Sequence, residues 1–335
     1  MVTARTALAG LQQQNLISIQ DLSPYEVEEI FELTRRIKAR PAAYSRALAG
    51  KQFMMIFEKP SLRTRVTFEV GINSLGGHAL FMEQTAGIAK REKVADVGRN
   101  LERWVQGIIL RTFKHTTVAE MAANTSVPVI NALTDKEHPC QALADYFTLA
   151  EKFGDLKPRK LAFVGDGNNV AHSLMLTAAN LGSKIAVATP KGYEPAKDVV
   201  QAAQRIAKRT AATIEITHDA KAAVAGADAV YTDVWASMGQ ESEAQSRDMI
   251  FRPYQVNSEL MSLAAPHAVF MHCLPAHRGD EVTDQVLDSA QSVVYDEAEN
   301  RLHVQNAILV MLAGTTKGLP VGTVKTATAV RTARA

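Results

Sequence analysis

Short apolar runs and amphipathic stretches alternate along most of this sequence. The runs at 51–57 (KQFMMIF), 78–82 (HALFM), 105–110 (VQGIIL) and 127–130 (VPVI) have the length and composition of buried strands. Between them, 64–75, 93–104 and 116–124 read as helices, the first stopped by Gly76-Gly77. Ahead of these, Ser23-Pro24 opens an amphipathic helix over 25–38, with Val27, Ile30, Phe31 and Leu33 on its inner face. Pro139 opens a longer helix over 140–153 that ends at Gly154. The second half repeats the alternation, with strands at 160–164, 184–188, 213–216, 228–232, 268–273 and 292–295 and a closing helix over 298–312. Such alternation forms parallel sheets with helices on both faces. The expected fold is α/β, with two doubly wound parallel-sheet domains joined by interdomain helices. The first spans 1–150 and is completed by a C-terminal helical segment, 298–320. The second spans 151–297, with GDLKPRK at 154–160 as hinge, and 321–335 reads as a flexible tail.

Composition narrows the class. A chain of 335 residues suffices for about two domains of ordinary size. Its 47% hydrophobic and 21% charged content is that of a soluble globular protein, and a formal charge of +2 gives no reason to expect a nucleic-acid partner. No apolar run approaches the ~20 residues of a membrane span. The start, MVTARTALAG, has one Arg and no apolar core of a secretory signal, and too few basic residues for a transit peptide. The two cysteines, Cys140 and Cys273, make no disulfide framework and suit a reducing compartment, so a cytoplasmic location is expected.

Candidate chemistry gathers where strands give way to loops. EKPSLRTR at 58–65 is a strand, polar loop and helix start, and a helix N-terminus favours an anion. Ser61 and Thr64 add hydroxyl donors there, and Arg63 and Arg65 add guanidinium forks that suit phosphate oxygens. The alternative is a solvated, capped helix start. A second glycine-rich turn, FVGDGNNV at 163–170, suggests a dinucleotide site. Against that, Val170 stands where a third glycine belongs, and the next strand ends Ala188-Thr189-Pro190 without an acid for a ribose. Asn168 and Asn169 offer amide groups that suit a zwitterionic small molecule instead.

HPCQ at 138–141 sets His138 and Gln141 at a helix start, as a carbonyl-polarising group or as a cap. DVWASMG at 233–239 leaves a strand end with a carboxylate, where open α/β sheets bind ligands. HCLP at 272–275 leaves another, and its thiol is a candidate nucleophile or a core residue. His267, His272 and His277 recur every five residues, which suits metal ligation on neither helix nor strand, so no metal is expected. Glu299-Asn300-Arg301 opens the last helix as a polar cluster or a solvated first turn.

In this order, S-x-R-T-R at 61–65, HPCQ at 138–141, GDGNN at 165–169, DVWxSMG at 233–239, HCLP at 272–275 and AENR at 298–301 resemble the ornithine carbamoyltransferases. The resemblance extends over residues 16–315. HPxQ and S-T-R-T are shared with aspartate carbamoyltransferases, whereas DVWxSMG and HCLP point to ornithine. The resemblance implies transfer of the carbamoyl group of carbamoyl phosphate to the side-chain amine of L-ornithine, giving L-citrulline and phosphate for arginine biosynthesis. It implies no cofactor and a homotrimer with shared active sites. The first domain would bind carbamoyl phosphate and the second ornithine. Ser61, Leu62 through its N–H, Arg63, Thr64 and Arg111 would bind the phosphate. His138 and Gln141, with Arg63 and Thr64, would hold and polarise the carbonyl and amide of carbamoyl phosphate, making an oxyanion hole, with Arg301 near the carbamoyl group. Asn169, Asp233, Ser237 and Met238 would bind ornithine. Asp233 and Cys273 would meet its side chain, and a cis Leu274-Pro275 bond would turn Cys273 and the Leu274 carbonyl to the cleft. The catalytic set would be Arg63, His138, Asp233 and Cys273.

Two positions depart from the family pattern. Leu62 replaces a threonine, which leaves its backbone N–H available. In the loop after Phe81-Met82, Gly87-Ile88-Ala89 stands where Gln-Leu-Gly is usual, so Gly87 has no side chain to donate. Lys90 lies just beyond, in a stretch similar to the aspartate carbamoyltransferase loop, and would reach the neighbouring subunit's site. Two other readings are a nicotinamide-dependent dehydrogenase and a catalytically dead paralogue that senses an amino acid. NAD binding would support the first, and absence of turnover with any amine the second.

Overall fold

The computed structural model describes residues 14–84, 87–236 and 244–315. Helix α1 (Pro24–Ala39) begins with a reciprocal cap in which the Ser23 hydroxyl accepts from the Glu26 N–H and the Glu26 carboxylate from the Ser23 N–H. The first sheet alternates with helices as β1 (Gln52–Phe57), α2 (Leu62–Ser74), β2 (His78–Glu83), α3 (Val94–Leu101), β3 (Gly107–Arg111), α4 (His115–Ala123) and β4 (Val129–Leu133). Helix α5 (Pro139–Phe153) leads to the second sheet. There β5 (Lys160–Val164), α6 (Asn169–Leu181), β6 (Lys184–Ala188), α7 (Lys197–Thr210), β7 (Thr213–Thr217), α8 (Ala220–Val224) and β8 (Ala229–Tyr231) follow one another. They are succeeded by α9 (Ala244–Phe251), α10 (Ser258–Met261), β9 (Val269–Met271), α11 (Asp284–Leu287) and α12 (Val294–Ala313).

Both sheets are wholly parallel, in the orders β2-β1-β3-β4 and β7-β6-β5-β8-β9. Central strands such as β3 are buried throughout, because helices cover both faces, and they read as continuous apolar runs. One expected strand is absent. In 292–295 only Ser292 pairs, with Phe270, and Val294 opens α12 four residues before the expected start of that helix. Val293 and Val294 are buried, so their apolarity seats a helix start, and a short apolar run does not distinguish the two. Helix α12 returns to pack on α1, α2 and α5, beside the first sheet.

Each sheet reverses its winding at one place, between β1 and β3 and between β5 and β8. Such a switch point opens a crevice at the carboxyl ends of the strands. The S-x-R-T loop follows β1 and Arg111 ends β3; GDGNN follows β5 and Asp233 follows β8. In β4 the pairing skips Ala132, so that Leu110 meets Asn131 and Arg111 meets Leu133. A bulge of this kind re-aims the side chains beyond it.

The segment just before α1 is fastened by one buried acid. Glu137, just before α5, accepts from the Ser18 hydroxyl and, at 3.0 Å, from the Ile19 N–H. Burial raises its carboxyl pKa to about 7. The folded value therefore exceeds the unfolded one, and the native state binds the extra proton between about pH 4.5 and 7. Stability from Glu137 is complete below that window and lost as pH rises through it. Glu137→Gln, which keeps an acceptor for Ile19 and turns a donor toward Ser18, should remove that loss. Thermal melts at pH 5 and 8 should show the parent losing on the order of 3 kcal/mol more than the variant. Equal pH dependence in both would discount a titrating Glu137.

Candidate active site

The carboxyl ends of the two sheets face a common cleft of about 380 Å³. Its anion-binding side is built on the start of α2. The Ser61 hydroxyl accepts from the Thr64 N–H at 3.3 Å, and Arg301 Nη2 donates to Thr64 Oγ1 at 2.7 Å, which ties α12 to the loop. Arg63, Arg111 and Arg301 all line the cleft, and among the described residues none has a carboxylate partner. Arg111 is buried with its Nε unpartnered, and burial, followed by the charges of Arg301 and Arg63, lowers its pKa to about 9. Burial lowers Arg301 as well. Three converging guanidiniums at a helix N-terminus create a field that a multiply charged anion relieves.

On the next wall stand His138 and Gln141. The His138 N–H donates to Ser173 Oγ at 2.8 Å, which fixes the start of α5 against α6. Its ring Nδ1 has no partner. Burial, then Arg301 and Arg111, holds the imidazole well below its usual pKa, so it is neutral and offers one N–H and one acceptor nitrogen. Gln141 Oε1 is likewise buried and unpartnered.

The opposite wall belongs to the second sheet. Asp233 Oδ1 accepts from the Val234 N–H at 2.8 Å and from the Cys273 thiol at 3.1 Å, and Oδ2 accepts from Asn168 Nδ2 at 2.7 Å. Burial and the Asp233 charge raise the Cys273 thiol well above its ordinary pKa. It stays protonated as a donor, which is the opposite of an activated nucleophile. His272 is fully buried behind it. Its Nδ1 accepts from the Leu274 N–H at 2.8 Å and its Nε2 meets Glu281 Oε1 at 3.2 Å. Asp233, His272 and Cys273 bring ligand-type atoms within 4.8 Å of one another, yet both His272 nitrogens are engaged elsewhere. The Leu274-Pro275 bond is cis, as the sequence led us to expect, and Leu274 has φ 57.

The cleft gathers Ser61, Leu62, Arg63, Thr64, Arg111, His138, Gln141, Asn169, Asp233, Cys273, Leu274 and Arg301. Ser237 and Met238 lie outside the described residues. Beyond that segment, Arg247 donates to Asp166 Oδ2 and to the Trp235 carbonyl, both at 2.8 Å, which joins it to the GDGNN turn. That turn leaves no bed for a pyrophosphate. A Cβ on Gly167 would come within 2.3 Å of Pro195 N, and the Gly167 N–H is spent on the Tyr193 carbonyl. Lys90 is exposed and does not line the cleft of its own chain. Gly87 has φ 87, and the Glu58 carboxylate accepts from the Ile88 N–H at 2.8 Å and the Phe113 N–H at 3.1 Å, so one buried acid holds the loops after β2 and β3.

Family models place these walls in a known context. Residues 14–151 match the carbamoyl-P binding domain of aspartate/ornithine carbamoyltransferase, and 157–312 match the Asp/Orn binding domain. The chain belongs to the aspartate/ornithine carbamoyltransferase family. Among similar members, the ornithine carbamoyltransferase of Pyrococcus abyssi is 50% identical over 313 residues, which covers 92% of this chain and 99% of that protein. One from Pyrococcus furiosus, named as anabolic, is 49% identical over 310 residues, covering 92% and 98%. A solved ornithine carbamoyltransferase structure from Pyrococcus furiosus superposes with a TM-score of 0.88, covering 92% of this chain and 99% of that one. In this carbamoyltransferase-family chain the boundary between the matched regions falls at the connection of α5 to β5. Arg63, His138 and Gln141 come from the first region, and Asp233, Cys273 and Arg301 from the second.

Proposed function

We propose that the protein transfers the carbamoyl group of carbamoyl phosphate to the side-chain amine of L-ornithine, releasing L-citrulline and phosphate. The observation that carries the reading is the cleft itself: guanidiniums without a carboxylate partner among the described residues stand on one wall, and the Asp233–Cys273 pair on the other. Ser61, the Leu62 N–H, Arg63, Thr64 and Arg111 bind the phosphate. Neutral His138 polarises the carbonyl with Arg63 and Thr64, and Gln141 and Arg301 complete that wall. Asn169, Asp233, Ser237 and Met238 bind ornithine. An alkyl ammonium has a pKa of about 10.4 and must lose its proton before it attacks. Enclosure away from water lowers that value. The neutral amine then attacks, negative charge grows on the carbonyl oxygen, and phosphate leaves with a proton. Cys273, protonated and tied to Asp233, orients the amine and forms no covalent intermediate.

The motifs DVWASMG and HCLP favour ornithine over aspartate, and the anabolic name of the Pyrococcus furiosus relative favours a role in arginine biosynthesis. Two cysteines, neither in a disulfide, fit a cytoplasmic enzyme, and no helix among the described residues is long and apolar enough to cross a membrane. A citrulline assay with carbamoyl phosphate and a panel of ornithine, acetylornithine, putrescine and aspartate tests the reading. Preference for another amine removes ornithine, and no turnover favours the dead paralogue.

The working unit is taken to be a homotrimer with shared sites, Lys90 reaching the neighbour's phosphate. Support comes from the exposed Lys90 ammonium, without a carboxylate partner among the described residues, and from the exposed apolar side chains of Val66, Val70, Leu80, Met82 and Trp104. A flexible ammonium meets a dianion without fixed geometry. Mixing inactive Arg63→Ala and Lys90→Ala subunits after dissociation should restore part of the activity, since some interfaces then carry neither change. No recovery in confirmed hybrids, or full activity of Lys90→Ala alone, removes Lys90 from the site.

A further inference from the structure

Behind the carbonyl wall of the cleft lies a pair of buried carboxyl groups that the roles above leave unused. Asp145 stands one turn after Gln141 on α5, and Glu297 lies in the first turn of α12. The Gln141 amide nitrogen donates to Asp145 Oδ1 at 2.8 Å and to Glu297 Oε1 at 3.0 Å, so both of its hydrogens are engaged. Glu297 is fixed in turn by the Tyr231 hydroxyl, which donates to Oε1 at 3.2 Å, and by the His272 N–H, which donates to Oε2 at 3.1 Å. Gln141 Oε1 is left buried without a protein partner on a residue that lines the cleft. Turning the amide over would set its oxygen against two carboxyl groups and present N–H groups to the cleft instead. Burial raises both acids, and the charge of Asp145 raises Glu297 further.

We propose that Asp145 and Glu297 are positioning residues that hold the Gln141 amide oxygen toward the cleft, selecting a donor substrate with an N–H group beside its carbonyl. This inference rests on the carbamoyl-transfer reading of the site. An acceptor oxygen at that place matches the amino group of carbamoyl phosphate and has nothing to bind in acetyl phosphate, where a methyl group replaces it. A buried acceptor without its donor is penalised, so the second ligand is disfavoured. The pair also joins both halves of the chain to one amide, through α5, α12, β8 and the residue after β9.

The test compares the KM of carbamoyl phosphate with the inhibition constant of acetyl phosphate. In Glu297→Gln, the His272 N–H requires the oxygen of the new amide, which turns its nitrogen toward Gln141 and opposes the parent orientation. The KM of carbamoyl phosphate should rise about tenfold or more while acetyl phosphate changes less than about threefold. Asp145→Asn still offers Gln141 an amide oxygen, so both constants should stay within about threefold of the parent. Equal weakening of both ligands in Glu297→Gln, or an unchanged ratio, overturns the proposal. Should that variant not fold, Asp145→Leu, which removes an acceptor outright, is read by the same ratio. A parent that makes no citrulline removes the carbamoyl-transfer reading beneath it, whereas an active parent with an unchanged ratio in the variant removes this inference alone.

Discussion

Arg63→Lys is expected to cost the enzyme on the order of 3 kcal/mol of transition-state stabilisation, a loss of about a hundredfold or more in kcat/KM. Arg63 lies in the first turn of α2, lines the cleft, and has no carboxylate partner among the described residues. In the proposed reaction it meets the phosphate and the developing oxyanion together, which requires two N–H groups in one plane. An ammonium supplies the charge without the fork. The charge near the phosphate survives the substitution, so most of the loss should appear in kcat and less in the KM of carbamoyl phosphate. Steady-state kinetics with carbamoyl phosphate varied at saturating ornithine separates the two. A lysine variant within about tenfold of the parent would end the case for a bidentate role.

Asp233→Asn is expected to have an effect of similar size on the other substrate. The carboxylate accepts from Val234, Cys273 and Asn168, and an asparagine has one oxygen and one NH2 group for those three donors. One donor must then face another inside a buried site, and the amine loses its anionic neighbour. Removing the charged member of such a cluster costs about 3 kcal/mol or more. We expect kcat/KM for ornithine to fall more than about a hundredfold, while carbamoyl phosphate, held on the opposite wall, binds within about threefold of the parent. Calorimetry with carbamoyl phosphate alone supplies the second number. Equal losses for both substrates would mean that Asp233 supports the fold of the cleft instead of the amine.

Much of this arrangement was legible because parallel sheets concentrate chemistry at strand ends. The apolar runs located β1 to β9 within a few residues, and the polar motifs that follow them, S-x-R-T, GDGNN, DVW and HCLP, each place at least one residue on the same cleft. The apolar signal failed at Val293-Val294, where burial serves a helix start. What stayed hidden were the acids that support those motifs from behind. Glu58 lay inside the first motif, yet nothing in EKPSLRTR tells that its carboxylate collects two N–H groups from distant loops. Glu297 precedes AENR by one residue, and its partners come from three separate elements. Asp145 left one readable trace. It is a lone acid in the middle of a helix buried nearly all round, four residues after Gln141 and therefore on the same face. A charge in such a place requires partners.

The return of α12 to the first sheet has a bearing on how the protein is made. The bond between Arg301 and Thr64 closes over a separation of 237 residues, and the helix that carries Arg301 is the last one in the described chain to leave the ribosome. Until it emerges, α1, α2 and α5 lack their covering layer, and the anion site has two guanidiniums instead of three. A chain that stops before α12 contains all four strands of the first sheet but lacks the Arg301 guanidinium of the proposed donor site. The complete anion site therefore depends on α12 reaching the first sheet, after the elements that carry Arg63 and Arg111 have already been made.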